Sequence, residues 1–403
     1  MHEIAKPKTL RLANGKVILD ILRASEEISI AEISAKAVLS KTTITKIINQ
    51  FLDKGLAVSV GKGSSTGEGG KKPALYRFNE RGGFVLCYHI FTDELYSVTT
   101  DLRFSFLSEV RVPVSETETA GGIIDKIAAS YRRHVEQGLD AEKLIGIAVG
   151  AHGITNFRDG VVVSSPHFPL WGDNLRLGDM LREKLAYGGP VYIDNQIRFQ
   201  VFAEKVSGAA KDKKNIIVVE GGVGLVAGVI VKNEIKRGVH YLAGEIGHMI
   251  INPYEEERCA CGGRGCFETM VSVRRILRLI EERRARFPAS PLFRSGGMNG
   301  APMHKVFGAA DGGDPLACEV VDDVSKWFAI GLSNLILTYD PEIIILQGVY
   351  GKSGRYFMDR LRDQVNDVSL LHIKKNVRID CSRFGGEAGI FGAAAYVVSE
   401  HFK

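Results

Sequence analysis

Between Gly244 and Glu268 the chain reads Gly-Glu-Ile-Gly-His and then, ten residues on, Cys-Ala-Cys-Gly-Gly-Arg-Gly-Cys-Phe-Glu. Cys259, Cys261 and Cys266 fall within eight residues, with His248 eleven positions before the first of them. Three thiolates and one imidazole fill a tetrahedral shell, which is the donor set of a closed, structural zinc site. Glycines between the cysteines give a chain that wraps an ion the positive φ it needs. Free core cysteines are the competing reading, yet structural thiols rarely cluster this way. Cys87, Cys318 and Cys381 stand alone in apolar surroundings and fit that plainer role. Whatever the fold, His248 and the 259–266 loop must meet.

At 403 residues the chain is too long for one ordinary core, so two or three domains are expected. No uninterrupted apolar stretch reaches the ~18–20 residues of a membrane span. The first residues, Met1-His-Glu-Ile-Ala-Lys-Pro-Lys, lack the apolar core of a signal peptide. Six cysteines without a paired framework fit a reducing cytoplasm. Charge divides unevenly. Residues 1–79 hold 13 Lys/Arg against 7 Asp/Glu, whereas the remainder holds 39 against 40. A basic module joined to a near-neutral body points to nucleic-acid binding.

That basic module has helical punctuation. Val17, Ile18, Ile21 and Leu22 recur at helical spacing after Asn14, a candidate N-cap. Ser29-Ile-Ala-Glu32 is a capping box opening a second helix. Ser40 caps a third, whose apolar stripe is Ile44, Ile47, Ile48, Phe51 and Leu52. The opposite face offers Lys41, Thr42, Thr45, Lys46, Asn49 and Gln50, with Thr43 beside them and no acidic residue before Asp53. Short polar and basic side chains of this kind contact both base edges and phosphates. Two strand-like pieces, 56–60 and 74–78, flank the glycine-rich segment Gly61–Pro73, a wing whose Lys71 and Lys72 reach phosphate or a narrow minor groove. The module reads as a winged helix-turn-helix over residues 1–80. A small helical protein-interaction domain is the competing reading.

From Gly83 strands and helices alternate in two similar halves, the pattern of two α/β lobes, over 81–195 and 196–403. Here the chain resembles the ROK family (repressors, open reading frames and sugar kinases). The resemblance rests on the Gly244–Glu268 signature, on Gly222-Val-Gly-Leu-Val-Ala-Gly228, which is similar to the family's second phosphate loop, and on Pro190–Arg198 through Glu204. Ala329–Gln347 and Gly385–Ala395 resemble its closing elements. The resemblance implies a two-lobed, actin-like (ribonuclease-H-like) α/β fold, a sugar site at the cleft, and dimers or tetramers. It also implies that Asn195, Glu245, His248 and Glu268 hold sugar hydroxyls, and that Gly153 and His167 border the same ligand. Glu245 and Glu268 have a second possible role, orienting the zinc histidine.

Three departures from the family's kinases bear on activity. Gln196 stands where they carry the Asp that deprotonates the sugar hydroxyl, and an amide cannot accept that proton near neutral pH. His89-Ile-Phe-Thr-Asp93 replaces the Asp-x-Gly-x-Thr phosphate loop, putting a bulky ring and a carboxylate where backbone N–H groups would approach phosphate. Val226 replaces a glycine of the second loop. The expectation is a regulator rather than an enzyme, one that binds operator DNA, a sugar or sugar-phosphate effector and a structural zinc ion. An active sugar kinase with an accessory DNA-binding domain is the alternative, and a body that answers to a protein partner is a third reading.

Overall fold

The computed structural model describes residues 7–63, 72–222, 224–293, 303–367 and 377–402. By its internal contacts the chain divides into two compact units, Met1–Asp194 together with Ala393–Lys403, and Asn195–Gly392.

The first unit begins with α1 (Pro7–Arg23), a two-residue strand β1 (Ile28–Ser29), α2 (Ile30–Ala37) and α3 (Lys41–Asp53). The hairpin β2 (Ala57–Lys62) and β3 (Ala74–Phe78) follows, and the sheet order β1-β3-β2 completes a winged helix-turn-helix. The caps are where local chemistry puts them. Ser29 Oγ accepts from the Glu32 N–H at 3.3 Å while Glu32 Oε2 accepts from the Ser29 N–H at 2.8 Å, the reciprocal capping box. Ser40 Oγ accepts from the Thr43 N–H at 3.2 Å. Asn14 caps nothing: it lies inside α1, which starts at Pro7, because a proline is tolerated in a helix's first turn and Ile18, Leu19 and Leu22 carry the buried face onward. Val17, expected in that stripe, is exposed.

The same unit continues with β4 (Phe84–Ile90), β5 (Glu94–Asp101), β6 (Phe106–Pro113), α4 (Ala120–Glu136), β7 (Leu144–Ala151), the small hairpin β8 (Ile154–Asn156) and β9 (Val161–Ser164), α5 (Leu177–Leu185) and β10 (Val191–Asn195). Its main sheet runs β10-β7-β4-β5-β6, with β4–β5 and β5–β6 antiparallel and β4–β7 parallel. Ile123, Ile124 and Ile127 of α4 and Leu177 and Leu181 of α5 bury against Leu86, Tyr88, Ile147 and Val149. The winged helix is joined to this sheet by cation–π stacking. The Arg23 guanidinium lies 4.3 Å from the Phe104 ring in the β5–β6 turn, and Arg103 lies 5.6 Å from Phe78.

The second unit holds α6 (Gln196–Val206), β11 (Ile216–Gly221), β12 (Leu225–Val231), β13 (Glu234–Ile235), α7 (Phe267–Val271), α8 (Val273–Glu282), α9 (Met303–Asp311), α10 (Pro315–Tyr339), β14 (Ile343–Gly348), α11 (Gly354–Asp367), β15 (Arg378–Cys381) and the start of α12 (Ala388–His401). Its sheet is β13-β12-β11-β14-β15, antiparallel across β11–β12 and β12–β13 and parallel across β11–β14 and β14–β15. Numbered by order of entry, both five-stranded sheets read 3-2-1-4-5, so the two lobes share one plan. Between α7 and α8 the chain breaks at Ser272, whose hydroxyl caps α8 by accepting from the Arg275 N–H at 3.1 Å. No helix among the described residues is long and apolar enough to cross a membrane.

Candidate metal centre and ligand-facing residues

The metal-ligating set assembles in the second unit. The ligand atoms of His248, Cys259, Cys261 and Cys266 all lie within 4.8 Å of one another. His248 comes from a single 3-10 turn, Ile246–His248, and its Nδ1 sits 3.6 Å from Cys259 Sγ. Cys261 and Cys266 sulfurs are 3.7 Å apart. Two backbone bonds tie off the loop, Cys259 N–H to Gly263 O at 2.9 Å and Gly262 N–H to Cys259 O at 2.9 Å. Gly265 has φ +68, and a Cβ there would fall 1.8 Å from Asn252 O, so no other residue closes this turn. Burial and the neighbouring thiols push Cys266 up to about 12. Three thiols packed this closely therefore want a cation that takes their protons' place, and the donor set fits a tetrahedral metal.

Behind the loop, Glu268 ties the cluster to the backbone of β12. Its Oε2 accepts from the Leu225 N–H at 3.0 Å and its Oε1 lies 3.8 Å from Cys259 Sγ. Phe267 is fully buried, edge-on to Phe328 of α10 at 5.4 Å, which anchors α7 and with it the carboxylate. Glu245 lies close enough to His248, Arg198 and Glu268 to feel their charges. Burial raises its pKa, and only part of that is offset by His248 and Arg198. Asn195 caps α6 through Oδ1, accepting from the Ile197 N–H at 3.1 Å. Gln196 donates through Nε2 to Glu220 Oε2 at 3.4 Å. Sequence reasoning assigned nothing to Glu220 or to Gln200, which donates to Glu220 Oε1 at 3.1 Å. The available signal was a carboxylate ending the apolar run Ile216-Ile-Val-Val-Glu220.

In the first unit, Gly153 adopts φ +97 at the foot of the β8–β9 hairpin, where a Cβ would fall 2.2 Å from Ser164 O. His167 is half-buried, with the His152 ring 5.3 Å away edge-on; His152 in turn lies 6.2 Å from His89. His89 stacks on Phe91 at 3.8 Å and is buried with neither ring nitrogen bonded. Burial drives His152 down to about 4 and His89 well below the usual range. His89, His152 and His167 thus form a file of imidazole rings.

On α3, Lys41, Thr42, Thr45, Lys46 and Asn49 are exposed and Thr43 half-buried, while Ile44, Ile47, Ile48 and Phe51 pack inward. Thr45 Oγ1 donates to Lys41 O at 2.8 Å, and Lys41, Thr42, Lys46 and Asn49 are further outward polar groups of that face. Lys72 is exposed at the base of the wing, and Lys71 lies outside the described residues.

With these features placed, comparison with known proteins is informative. The chain is 25% identical to the xylose repressor of Caldicellulosiruptor bescii, across 97% of this chain and 96% of that one. It is 30% identical to the glucokinase of Halalkalibacterium halodurans, across 73% of this chain and 90% of that protein. Among solved structures, a ROK family transcriptional regulator described as a homologue of the E. coli MLC protein superposes with a TM-score of 0.82 at 23% identity, covering 98% of this chain and 97% of the other. The ROK family profile matches residues 92–400. On that span of matched sequence, the chain belongs to the ROK family.

Proposed function

We propose that this protein is a sugar-responsive DNA-binding transcriptional repressor whose kinase-derived body senses an effector without phosphorylating it. The observation that carries the reading is length. The likeness to the xylose repressor runs over 97% of the chain, whereas the likeness to the glucokinase takes in 73%. What a repressor needs beyond a sugar-binding body is the N-terminal winged helix, and its α3 presents a basic and polar face. The protein acts in the cytoplasm as a homodimer or homotetramer on a palindromic operator, with Lys41–Asn49 in the major groove and the wing alongside. His248, Cys259, Cys261 and Cys266 hold zinc, a structural ion that fixes the loop carrying Glu268. Asn195, Gln196, Glu245, His248 and Glu268 are the groups we assign to sugar hydroxyls, because carboxylates and amides grip vicinal hydroxyls in pairs.

Loss of phosphoryl transfer is supported by three local facts. The residue at the base position is an amide engaged with Glu220. His89 and Phe91 are stacked on each other in the segment that would otherwise be a glycine phosphate loop. Val226 pairs with Glu220 across β11–β12, so a carboxylate stands beside the second glycine turn. Effector binding then biases a two-state equilibrium that changes the spacing of paired winged helices, and half-sites one helical turn apart tolerate little change.

Thermal melting of the zinc-loaded protein against sugars, sugar phosphates and Mg-ATP tests this. A ligand at about 100 times its Kd stabilises by ~2.7 kcal/mol. A shift with a sugar and none with Mg-ATP is expected. Shifts with both, and ATP turnover that depends on the sugar, would instead establish the kinase.

A further inference from the structure

The last turn of β11 carries a charge that the rest of the strand gives no reason to expect. Side chains alternate across it: Ile216 and Val218 pack with Ile197 and Val201 of α6 in one apolar cluster, while Ile217 and Val219 join the cluster on the other face. The next position on the α6 side is Glu220. The helix meets it with Gln196 and Gln200, spaced one turn apart just as Ile197 and Val201 are. Gln196 Nε2 lies 3.4 Å from Glu220 Oε2, and Gln200 Nε2 lies 3.1 Å from Glu220 Oε1. Each carboxylate oxygen thus receives one amide donor.

This bracket is expensive for the fold. Gln196 and Gln200 are only 6% and 5% exposed, and their carbonyl oxygens are buried without a hydrogen-bond partner. Each acceptor left in that state forfeits a bond that water would have given. No cation among the described residues offsets the burial of the carboxylate, which raises its pKa against the pull of the two amides. An apolar residue at 220 would continue the stripe at no such penalty. Yet Glu220 is partly open to solvent, at the carboxyl end of a strand with a parallel neighbour and beside the turn that begins at Gly221. Carboxyl ends of strands in α/β sheets are where ligands bind.

Resting on the reading of this body as a sugar sensor, we infer that Glu220 is a ligand-contacting carboxylate, held by Gln196 and Gln200, that accepts a hydrogen bond from a hydroxyl of an uncharged sugar. The amide N–H groups hold the carboxylate, and the two carbonyl oxygens are left without a partner. A phosphate or carboxylate group on the ligand is repelled from this end of the site, and a hydroxyl is drawn to it. Glu220 and Gln200 thereby set specificity in a chain whose kinase base has become Gln196.

The test is calorimetry on the metal-loaded full chain, using the uncharged aldopentoses and aldohexoses, D-xylose and D-glucose among them, and the monodeoxy analogues of whichever binds. E220Q is expected to weaken the parent sugar roughly ten- to hundredfold, the worth of a hydrogen bond to a charged group. One monodeoxy analogue should lose a similar factor on the wild type and nothing further on E220Q, the signature of a direct contact. Ligand-free E220Q should melt at or above the wild type, since a desolvated charge has gone; a purely structural carboxylate would lower the melting temperature. Q200M, run through the same cycle, should show a smaller loss of affinity. Wild-type affinity in E220Q, unchanged deoxy penalties, or binding of sugar phosphates alone would overturn the inference while leaving a sensor. Binding of no sugar at all would remove the sensor reading and this inference with it.

Discussion

Cys261 is the most exposed of the three clustered thiols, and its sulfur lies 3.7 Å from that of Cys266. Cys261→Ser should therefore strip the metal without opening the core. Metal content measured by atomic emission should fall sharply and the melting temperature with it, while Cys318→Ser leaves metal content unchanged. Because Glu268 joins Cys259 to the Leu225 N–H, metal loss should also speed amide exchange at Leu225. A second residue, His134, makes a prediction about acid. It is fully buried, with Nε2 2.9 Å from Ser97 Oγ and Nδ1 2.7 Å from Ser108 Oγ, and burial lowers its pKa from 6.5 to about 4. The unfolded chain takes up the proton first, so stability is complete above pH 6.5 and drains away as pH falls toward 4, with His152 acting in the same sense. For His134 the loss is about 3 kcal/mol. Denaturant titrations from pH 7 to 4 should show that slope in the wild type and a flatter one in His134→Gln.

Helix α3 separates binding from folding within thirteen residues. Lys46→Ala, on the exposed face, should weaken operator binding about evenly across DNA sequences and reduce the salt slope by about 1, with no change in melting. Ile47→Ala, one residue on and buried, should cost about 2–5 kcal/mol of stability instead. Elements of this kind were legible because their signals are local. A capping serine or a helical stripe needs nothing beyond its own few residues, and Ser29, Ser40 and the α3 stripe follow from that. What depends on distant partners was not legible. The edge strand β6 has mostly polar or half-exposed positions and is defined by its pairing with β5. The break at Ser272 follows α7, whose Glu268 accepts from the distant Leu225 N–H. The acceptor role of Glu220 depends on α6 lying over β11, a tertiary fact that spacing along the chain does not encode.

Across the whole molecule, two five-stranded sheets of one strand order follow a winged helix along the chain. The two-lobed plan was readable from alternation and from the Gly244–Glu268 signature, since closely spaced ligands constrain a fold more than composition does. The file of His89, His152 and His167 was not, because each histidine comes from a different strand or loop. The central claim is that a small uncharged ligand in the body controls DNA binding by the winged helix. Its most direct test is the fluorescence anisotropy of operator DNA, selected from a randomised palindromic pool, with and without the sugar that raises the melting temperature. A change in affinity of about tenfold or more, in line with ordinary coupling energies, is the predicted result. An operator affinity that stays the same at saturating sugar would contradict it.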